Sequence, residues 1–224
     1  VTVGNSYIKE ITGLGNHLLV SPTNAPTWNA SGYWEFSAND DCQIRTVGGG
    51  IAPSHVDIPT SRKGFIGVAG IFRTPATANV GDRFFQLLNA DNGSKIWASV
   101  RYTTGPNLGV LMTGDSSVAS PSYSSYNDTS TLPANTWYCV GWSLNTSTGA
   151  TNFYIDAVSE GSGTLAGVSA STIPDNIRMQ IGGNDFDGQS LSPALMDWHS
   201  LFISTDAAGF ADMMTELTAV AGAL

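Results

Sequence analysis

Apolar and polar residues alternate with a period of two along much of the chain, which is the pattern of half-buried β-strands. Ten segments carry this alternation or a short continuous apolar run: Tyr33–Phe36, Cys42–Val47, Phe65–Arg73, Arg83–Asn89, Lys95–Tyr102, Leu108–Thr113, Trp137–Leu144, Thr151–Asp156, Ile177–Ile181 and Ala194–Ile203. Asp91–Gly93 and Asn145–Gly149 supply residues that tolerate positive φ where hairpin turns are needed. Repeated strands with hairpin links and no intervening helices predict an all-β, antiparallel two-sheet sandwich.

One segment near the C-terminal end has the period of a helix instead. Phe210, Met213, Met214 and Leu217 recur at helical spacing after Ser204–Asp206, a cluster of good N-cap residues. We expect a short C-terminal helix that docks on the sandwich. No composition shift or internal repeat divides the chain, so residues 1–224 are expected to form a single domain. Residues 48–60 and 114–136 are predicted to be irregular connections.

Charge is distributed unevenly over the 224 residues, whose formal net charge is −9. Eight of the nine Lys and Arg precede position 102, and only Arg178 follows it, among eleven acidic residues. Binding to phosphates requires clustered cations, so nucleic acid and anionic membrane surfaces are not expected as partners. The longest apolar run, Phe65–Phe72, is far shorter than the ~18 residues of a membrane helix, so membrane insertion is excluded.

The two cysteines, Cys42 and Cys139, leave two possibilities open. A disulfide between them would close a loop of roughly 100 residues and contribute about 4–5 kcal/mol in the chain-entropy model. Two buried, unreactive thiols are the other possibility, and we favour it because a core of this size needs no covalent link. The sequence has no Cys and His spacing typical of a zinc site.

Three segments, in order, resemble the laminin-G-like branch of the concanavalin A-like lectin/glucanase superfamily. Residues 32–44 (GYWEFSANDDCQI) resemble its early strand–turn–strand, and residues 137–156 resemble its Trp-led central hairpin, with Ala157 where the family turn has Gly. Residues 181–184 (IGGN), followed by residues 195–198 (LMDW), resemble its penultimate turn and last strand. The resemblance implies a jelly-roll of two curved antiparallel sheets, with ligand sites on the concave face or rim loops. It implies no particular activity, because the fold hosts lectins, adhesion modules, hydrolases, lyases and virion components.

Catalysis by paired carboxylates has little support in the sequence. Glycoside hydrolysis needs two carboxyl groups ~5–9 Å apart. The four Glu residues are far apart in sequence, and Glu35, on a strand beside Trp34, is the best single candidate. A partner from a different strand stays open, and so does a carbohydrate-active enzyme, either a hydrolase or a lyase. Neither the three His residues nor any Ser lies in a recognisable nucleophile motif.

Calcium is the cofactor that the sequence favours. Residues 184–189 (NDFDGQ) place Asp185 and Asp187 alternately before a Gly, within the acidic half of the chain. Carboxylate oxygens at a tight turn are ligands that Ca²⁺ prefers. Asp185 and Asp187 are therefore the predicted metal ligands, with an ordinary solvent-exposed loop as the alternative.

Aromatic side chains outside the apolar strands are candidates for glycan binding. Trp28, Trp34, Tyr123 and Tyr126 fall in predicted loops or at strand ends, where exposed rings can stack on sugars. Trp97, Trp137, Trp142 and Trp198 lie within apolar strands and are predicted to be core residues.

These features together predict a non-enzymatic, surface-exposed binding or structural module. One version is a glycan-recognising adhesion module, and the other is a virion component such as a phage decoration or fibre domain. Either version implies an extracellular or virion-surface location, with glycans or neighbouring subunits as partners and a homo-oligomer as one option.

Overall fold

The computed structural model describes backbone and side chains for residues 27–36, 64–77, 132–164 and 197–224. It describes the backbone alone for nine further strands. Within these residues the elements are, in order, β1 (Tyr7–Ile8), β2 (Asn16–Val20), β3 (Thr27–Asn29), β4 (Tyr33–Glu35), β5 (Asp41–Thr46), β6 (Val56–Asp57), β7 (Phe65–Arg73), β8 (Arg83–Asn89), β9 (Lys95–Thr104), β10 (Asn107–Thr113), β11 (Tyr123–Asn127), β12 (Trp137–Asn145), β13 (Ala150–Ile155), β14 (Val158–Thr164), β15 (Asn176–Gly182), β16 (Asp197–Ser204) and α1 (Ala207–Ala221).

The described strands form two antiparallel sheets, which confirms the predicted all-β class. One sheet runs in the order β1-β2-β5-β15-β8-β9-β10-β11, with β6 also paired to β15. The other runs in the order β14-β13-β12-β7-β16-β4-β3. Strands that are neighbours in a sheet are often distant in sequence. For example, β16 pairs with both β7 and β4, so the last strand of the chain lies between two strands from its first third.

Strand β7 lies at the centre of the second sheet and is buried on both faces. Its sequence, FIGVAGIFR, is continuously apolar apart from its final Arg, and every residue from Ile66 to Phe72 is buried. Ile66, Val68 and Phe72 lie on one face, together with Trp142 of the neighbouring strand β12. We call this the inner face of the sheet. Helix α1 covers the opposite, outer face.

Helix α1 forms where the sequence predicts it. The Asp206 side chain accepts a hydrogen bond from the backbone N–H of Gly209 at 2.6 Å, so Asp206 is the N-cap. Phe210, Met214 and Leu217 are buried, and they pack against Ala69 and other outer-face residues of the sheet. Burial of these three side chains stabilises the docked helix by roughly 5–9 kcal/mol. The predicted docking of the helix on the sandwich is therefore confirmed.

Six described strands were not among the ten predicted from the sequence. They are β1, β2, β3, β6, β11 and β14. Strand β14, VSEGSGT, lies at a sheet edge with mostly exposed or half-buried side chains, so it needs no apolar alternation. Strand β11 corrects the prediction that residues 114–136 are one irregular connection, because Tyr123 and Tyr126 pair with β10. Strand β6 similarly interrupts the predicted irregular segment 48–60.

Cys139 carries a free, buried thiol, so the prediction of unpaired thiols is confirmed at this position and a bridge to Cys42 is not formed. Burial raises the pKa of the Cys139 thiol to about 12, which makes it unreactive. The side chain of Cys42 lies outside the described residues, although its backbone is in β5 of the other sheet.

Two further predictions concern a membrane-spanning segment and the number of domains. In the part of the chain that the structure describes, no helix has the length and apolar character needed to cross a membrane. That residues 1–224 form one domain stays a prediction.

Candidate functional site

A row of polar and charged residues crosses five adjacent strands on the outer face of the second sheet. Thr27 of β3 is paired with Glu35 of β4, and Glu35 is paired with Asp197 of β16. Asp197 is in turn paired with Arg73 of β7, which is paired with Trp137 of β12. Side chains directly opposite each other on neighbouring strands have Cβ atoms about 4.5–5.5 Å apart. The strand register therefore brings two carboxylates, a guanidinium and an indole ring into one line.

Hydrogen bonds fix the charged side chains of this row. Arg73 Nη1 donates to Asp197 Oδ2 at 3.0 Å, which is also an ion pair. The Asn29 amide donates to Glu35 Oε1 at 2.7 Å, and the Tyr33 hydroxyl donates to the same oxygen at 3.4 Å. We call Asn29, Tyr33, Glu35, Arg73, Trp137 and Asp197 the outer-face cluster.

The turn before β12 holds the Arg73 side chain from a second direction. Arg73 Nε donates to the backbone carbonyl of Asn135 at 3.2 Å. Asn135 adopts a positive φ of 55°, and its N–H donates to the Thr74 carbonyl at 3.0 Å. The buried Thr74 hydroxyl donates to the Pro133 carbonyl at 2.6 Å and accepts from the Thr136 N–H at 3.0 Å. This network fixes the turn, so the guanidinium is positioned before any ligand arrives.

Partial burial shapes the electrostatics of the cluster. Burial raises the pKa of the Asp197 carboxyl above its ordinary value, the Arg73 ion pair opposes that rise, and the charge of Glu35 adds to it. Burial also raises the pKa of the Tyr33 phenol, and the nearby Asp197 and Glu35 charges act in the same direction. The Arg73 side chain remains 34% exposed and that of Asp197 19% exposed, so a ligand can reach both.

Aromatic side chains line the outer-face cluster. The rings of Tyr33 and Trp137 meet edge to face, with centroids 5.2 Å apart. Both residues are half-buried, so part of each ring faces solvent. The prediction that Trp137 is a core residue is therefore only partly correct. It packs against the helix-facing core and also borders the polar row.

A second row, made entirely of aromatic residues, crosses the same five strands on the inner face. It consists of Trp28, Trp34, Trp198, Phe72 and Tyr138, each directly opposite the next. Trp198 is 4% exposed and Trp142 1% exposed, which confirms their predicted core positions. Because the two rows alternate along the same strands, burial of Trp34, Trp198 and Phe72 holds the polar row in place.

The two described Trp residues of the predicted ligand set differ in exposure. Trp28, on the edge strand β3, is 40% exposed, as predicted. The predicted exposure of Trp34 is wrong, because its ring is 7% exposed where it meets Trp28 edge to face at 5.1 Å and lies opposite Trp198. The sequence could not reveal this, since Trp198 lies at the other end of the chain. Ligand binding by Trp28 and Trp34 stays a prediction.

Other predicted site residues lie outside the described side chains. The backbones of Tyr123 and Tyr126 are in strand β11, and their side chains are not described. Asp185 and Asp187 lie outside the described residues altogether. Among the described residues there is no group of three or more His, Cys, Asp or Glu side chains arranged to hold a metal ion. The predicted calcium site therefore stays a prediction.

Sequence reasoning identified Glu35 but missed its neighbours in the outer-face cluster. Asp197, Arg73 and Asn29 are ordinary strand residues in the sequence, and only the register of three strand pairs places them beside Glu35. The cluster combines fixed hydrogen-bond acceptors, a guanidinium held by two different acceptors and two aromatic rings. Such a set can bind a ligand that carries several hydroxyl groups on a ring.

Comparison with solved structures shows the fold. The receptor binding domain of botulinum neurotoxin D aligns with a TM-score of 0.63 at 12% identity, over 94% of this chain and 49% of that one. Trypanosoma rangeli sialidase in complex with sialic acid aligns with a TM-score of 0.62 at 10% identity, over 96% and 32% of the two chains. The heptameric SAP-like pentraxin of Limulus polyphemus aligns with a TM-score of 0.50 at 15% identity, over 70% of each chain.

These likenesses identify a β-sandwich of the jelly-roll, concanavalin-like type. The chain spans about half the length of the neurotoxin domain and a third of the sialidase chain. No protein-family model matches the sequence, and no curated protein matches it either.

Proposed function

We propose that this chain is a non-enzymatic binding module that recognises a glycan through the outer-face cluster. The row Glu35–Asp197–Arg73–Trp137, in register across four strands, is the observation that carries the proposal. Carboxylates accept hydrogen bonds from sugar hydroxyls, the guanidinium donates two, and the exposed parts of the rings contact the apolar C–H face of a sugar. Because the polar side chains are already held by one another, binding immobilises few rotatable groups.

The polarity of the cluster is consistent with a neutral or weakly charged glycan. Two carboxylates and one guanidinium give the cluster one excess negative charge, so a densely anionic polysaccharide is disfavoured. Arg73 Nη1 and Asp197 Oδ2 form an ion pair at 3.0 Å, and both side chains stay partly exposed, so their remaining polar atoms can bind a ligand.

We further propose that the module belongs to the laminin-G-like branch and works outside a cell or on a virion surface, as an adhesion, decoration or fibre domain. The three sequence segments that resemble this branch support the assignment. Similar structures include a receptor binding domain and a heptameric pentraxin, which support a receptor-facing role and a homo-oligomer. Light scattering coupled to size exclusion tests the oligomer directly, and a monomer at all concentrations would exclude it.

Three parts of the proposal rest on the sequence. Calcium bound by Asp185 and Asp187 would supply a further set of ligands for hydroxyl groups. Tyr123 and Tyr126 would add stacking surfaces from the other sheet. Trp28 would offer its exposed ring at the edge of the second sheet, on the opposite face from the outer-face cluster.

A carbohydrate-active enzyme is the second candidate, because Glu35 and Asp197 are directly opposite in register. Burial raises the pKa of Asp197, which is a property of general acids in glycoside hydrolysis. Binding is favoured over catalysis because both carboxylates already have partners. Asp197 is paired with Arg73, and Glu35 Oε1 accepts from Asn29 and Tyr33.

A glycan array, read with and without EDTA, tests the proposed function. We expect binding by the wild-type chain and a loss of affinity in Glu35→Gln. Removing a charged hydrogen-bond acceptor costs about 1.5–3 kcal/mol of binding free energy, which corresponds to a dissociation constant about tenfold to hundredfold larger. Glu160→Gln is the matched control, because it makes the same change on edge strand β14 of the same sheet. Equal affinities of the two variants would contradict glycan binding at the outer-face cluster.

Two further readouts separate the alternatives. Loss of binding in EDTA, with full recovery on adding Ca²⁺, supports the calcium proposal, and unchanged binding excludes it. Release of reducing ends or unsaturated uronates from a polysaccharide panel, abolished in Glu35→Gln and Asp197→Asn, would establish an enzyme and overturn the binding proposal.

A further inference from the structure

A groove of about 420 Å³ separates helix α1 from the hairpin formed by β12 and β13. It lies on the outer face of the second sheet, and none of its lining residues belongs to the outer-face cluster. Its apolar side consists of Phe65, Phe210 and Met214, whereas Ser143, Asn152 and Tyr154 supply polar atoms. The volume falls within the range of about 300–1,000 Å³ that is typical of small-molecule sites.

Small side chains leave the groove open. Phe210 docks where Gly67 has no side chain, so the first turn of the helix lies close to the sheet. Ala207 and Ala211 line the groove from the helix, Ala150 and Ala157 line it from the hairpin side, and these short side chains do not fill it. The groove therefore results from how the helix packs on the sheet.

The floor of the groove carries an unusual polar side chain. Ser143 is only 3% exposed, yet it lines the groove and points away from the inner face of the sheet. Its hydroxyl is therefore a hydrogen-bonding group at the surface of the groove, within reach of a ligand that enters it.

Further hydrogen-bonding groups surround Ser143. Asn152 is directly opposite it on β13, and Tyr154 follows on the same face. At the rim, the Asn145 side-chain oxygen is already occupied by Ser147 and Thr148, which leaves its NH₂ group to donate. No lining residue carries a formal charge at neutral pH. A ligand of this groove is therefore neutral.

We propose that this groove is a second binding site, for a neutral polyhydroxylated ring such as a pyranose. The hydroxyl groups of the ligand would hydrogen-bond to Ser143, Asn152 and Asn145. The C–H face of the ligand would lie against the rings of Phe65 and Phe210. An acyl chain would leave the polar floor unpaired, and a charged ligand would find no counter-charge. This site is separate from the outer-face cluster, so evidence against ligand binding at one of them leaves the proposal for the other unaffected.

Saturation-transfer NMR on the full chain tests the site with methyl glucoside, methyl N-acetylglucosaminide and myo-inositol as probes and decanoate as the apolar comparison. We expect transfer to at least one of the three polyols, at millimolar affinity, and none to decanoate. Transfer to decanoate alone would overturn the proposed ligand class. No transfer to any polyol would overturn the site.

Variants assign the signal to the groove. Transfer is measured in the Glu35→Gln background, which weakens binding at the outer-face cluster. In that background Ala211→Phe adds a ring from an exposed helix position into the groove and should abolish the remaining transfer. Ala219→Phe makes the same change at an exposed helix position that does not line the groove and should leave transfer unchanged. Ser143→Ala should weaken the affinity about tenfold. Equal transfer in the Glu35→Gln background with and without Ala211→Phe and Ser143→Ala would overturn the site.

Discussion

Helix α1 can dock on the sheet only because two strand residues facing it have no side chain. A Cβ added at Gly67 would stand 2.7 and 2.8 Å from Phe210 Cγ and Cε2, and closer still to Cδ2. A Cβ at Gly141 would stand 2.6 Å from Met214 Sδ. Carbon atoms in contact prefer about 3.5–4.0 Å, so either substitution requires a movement of about 1 Å.

The size of the effect follows from what has to move. Phe210 Cγ is next to the helix backbone and cannot swing away, so Gly67→Ala must tilt the ring or lift the helix. Overpacking of this kind costs about 1–3 kcal/mol. Full loss of helix docking would cost roughly 5–9 kcal/mol, the burial energy of Phe210, Met214 and Leu217, which sets the upper limit. We therefore predict a loss of about 1–3 kcal/mol in the free energy of unfolding.

Urea unfolding followed by tryptophan fluorescence measures this loss. Gly64→Ala is the matched control, because its added Cβ meets nothing within 4 Å. The control should be unchanged or up to about 1 kcal/mol more stable, since alanine restricts the unfolded chain. If Gly67→Ala is as stable as Gly64→Ala, the helix does not dock at Gly67 and the described packing is wrong.

Two further predictions concern the β13–β14 turn, where Asp156 and Ala157 have φ of 50° and 62°. Ala157→Gly should raise the free energy of unfolding by about 0.5–1 kcal/mol, because relief of left-handed strain exceeds the added chain entropy. The control Ala134→Gly, at a position whose own φ is not positive, should lower it. Asp156→Asn should keep the hydrogen bond from Cys139 N–H, now 2.9 Å long, and remove a carboxyl whose pKa is raised by burial. Because the Asp156 carboxyl has a raised pKa in the folded state, the free energy of unfolding of wild type falls as the pH rises through that pKa. In urea titrations, Asp156→Asn should therefore have a higher free energy of unfolding than wild type at pH 7 and the same value near pH 3. A less stable Asp156→Asn at pH 7, or a destabilised Ala157→Gly, would contradict these assignments.

The elements best predicted from the sequence are those whose pattern reflects burial. Strand β7 is buried on both faces, so a continuous apolar run located it, and the spacing of Phe210, Met214 and Leu217 located the helix. Edge strands β3 and β14 were not predicted, because partly exposed strands need neither alternating apolar residues nor apolar runs.

The candidate site was harder to predict because it depends on register. Glu35 was identified as a single carboxylate, but Asp197 and Arg73 become its neighbours only through the pairing of β16 with β4 and β7. The burial of Trp34 follows from the same pairing. No local feature of a sequence encodes such long-range register.

Chemical-shift mapping with a glycan that the array identifies would show whether the outer-face cluster is the binding site. We predict that the Trp137 indole N–H and the Arg73 Nε–H shift in saturable fashion with one dissociation constant, while the glycan stays intact. Shifts confined to other residues, or cleavage of the glycan during the titration, would contradict this prediction.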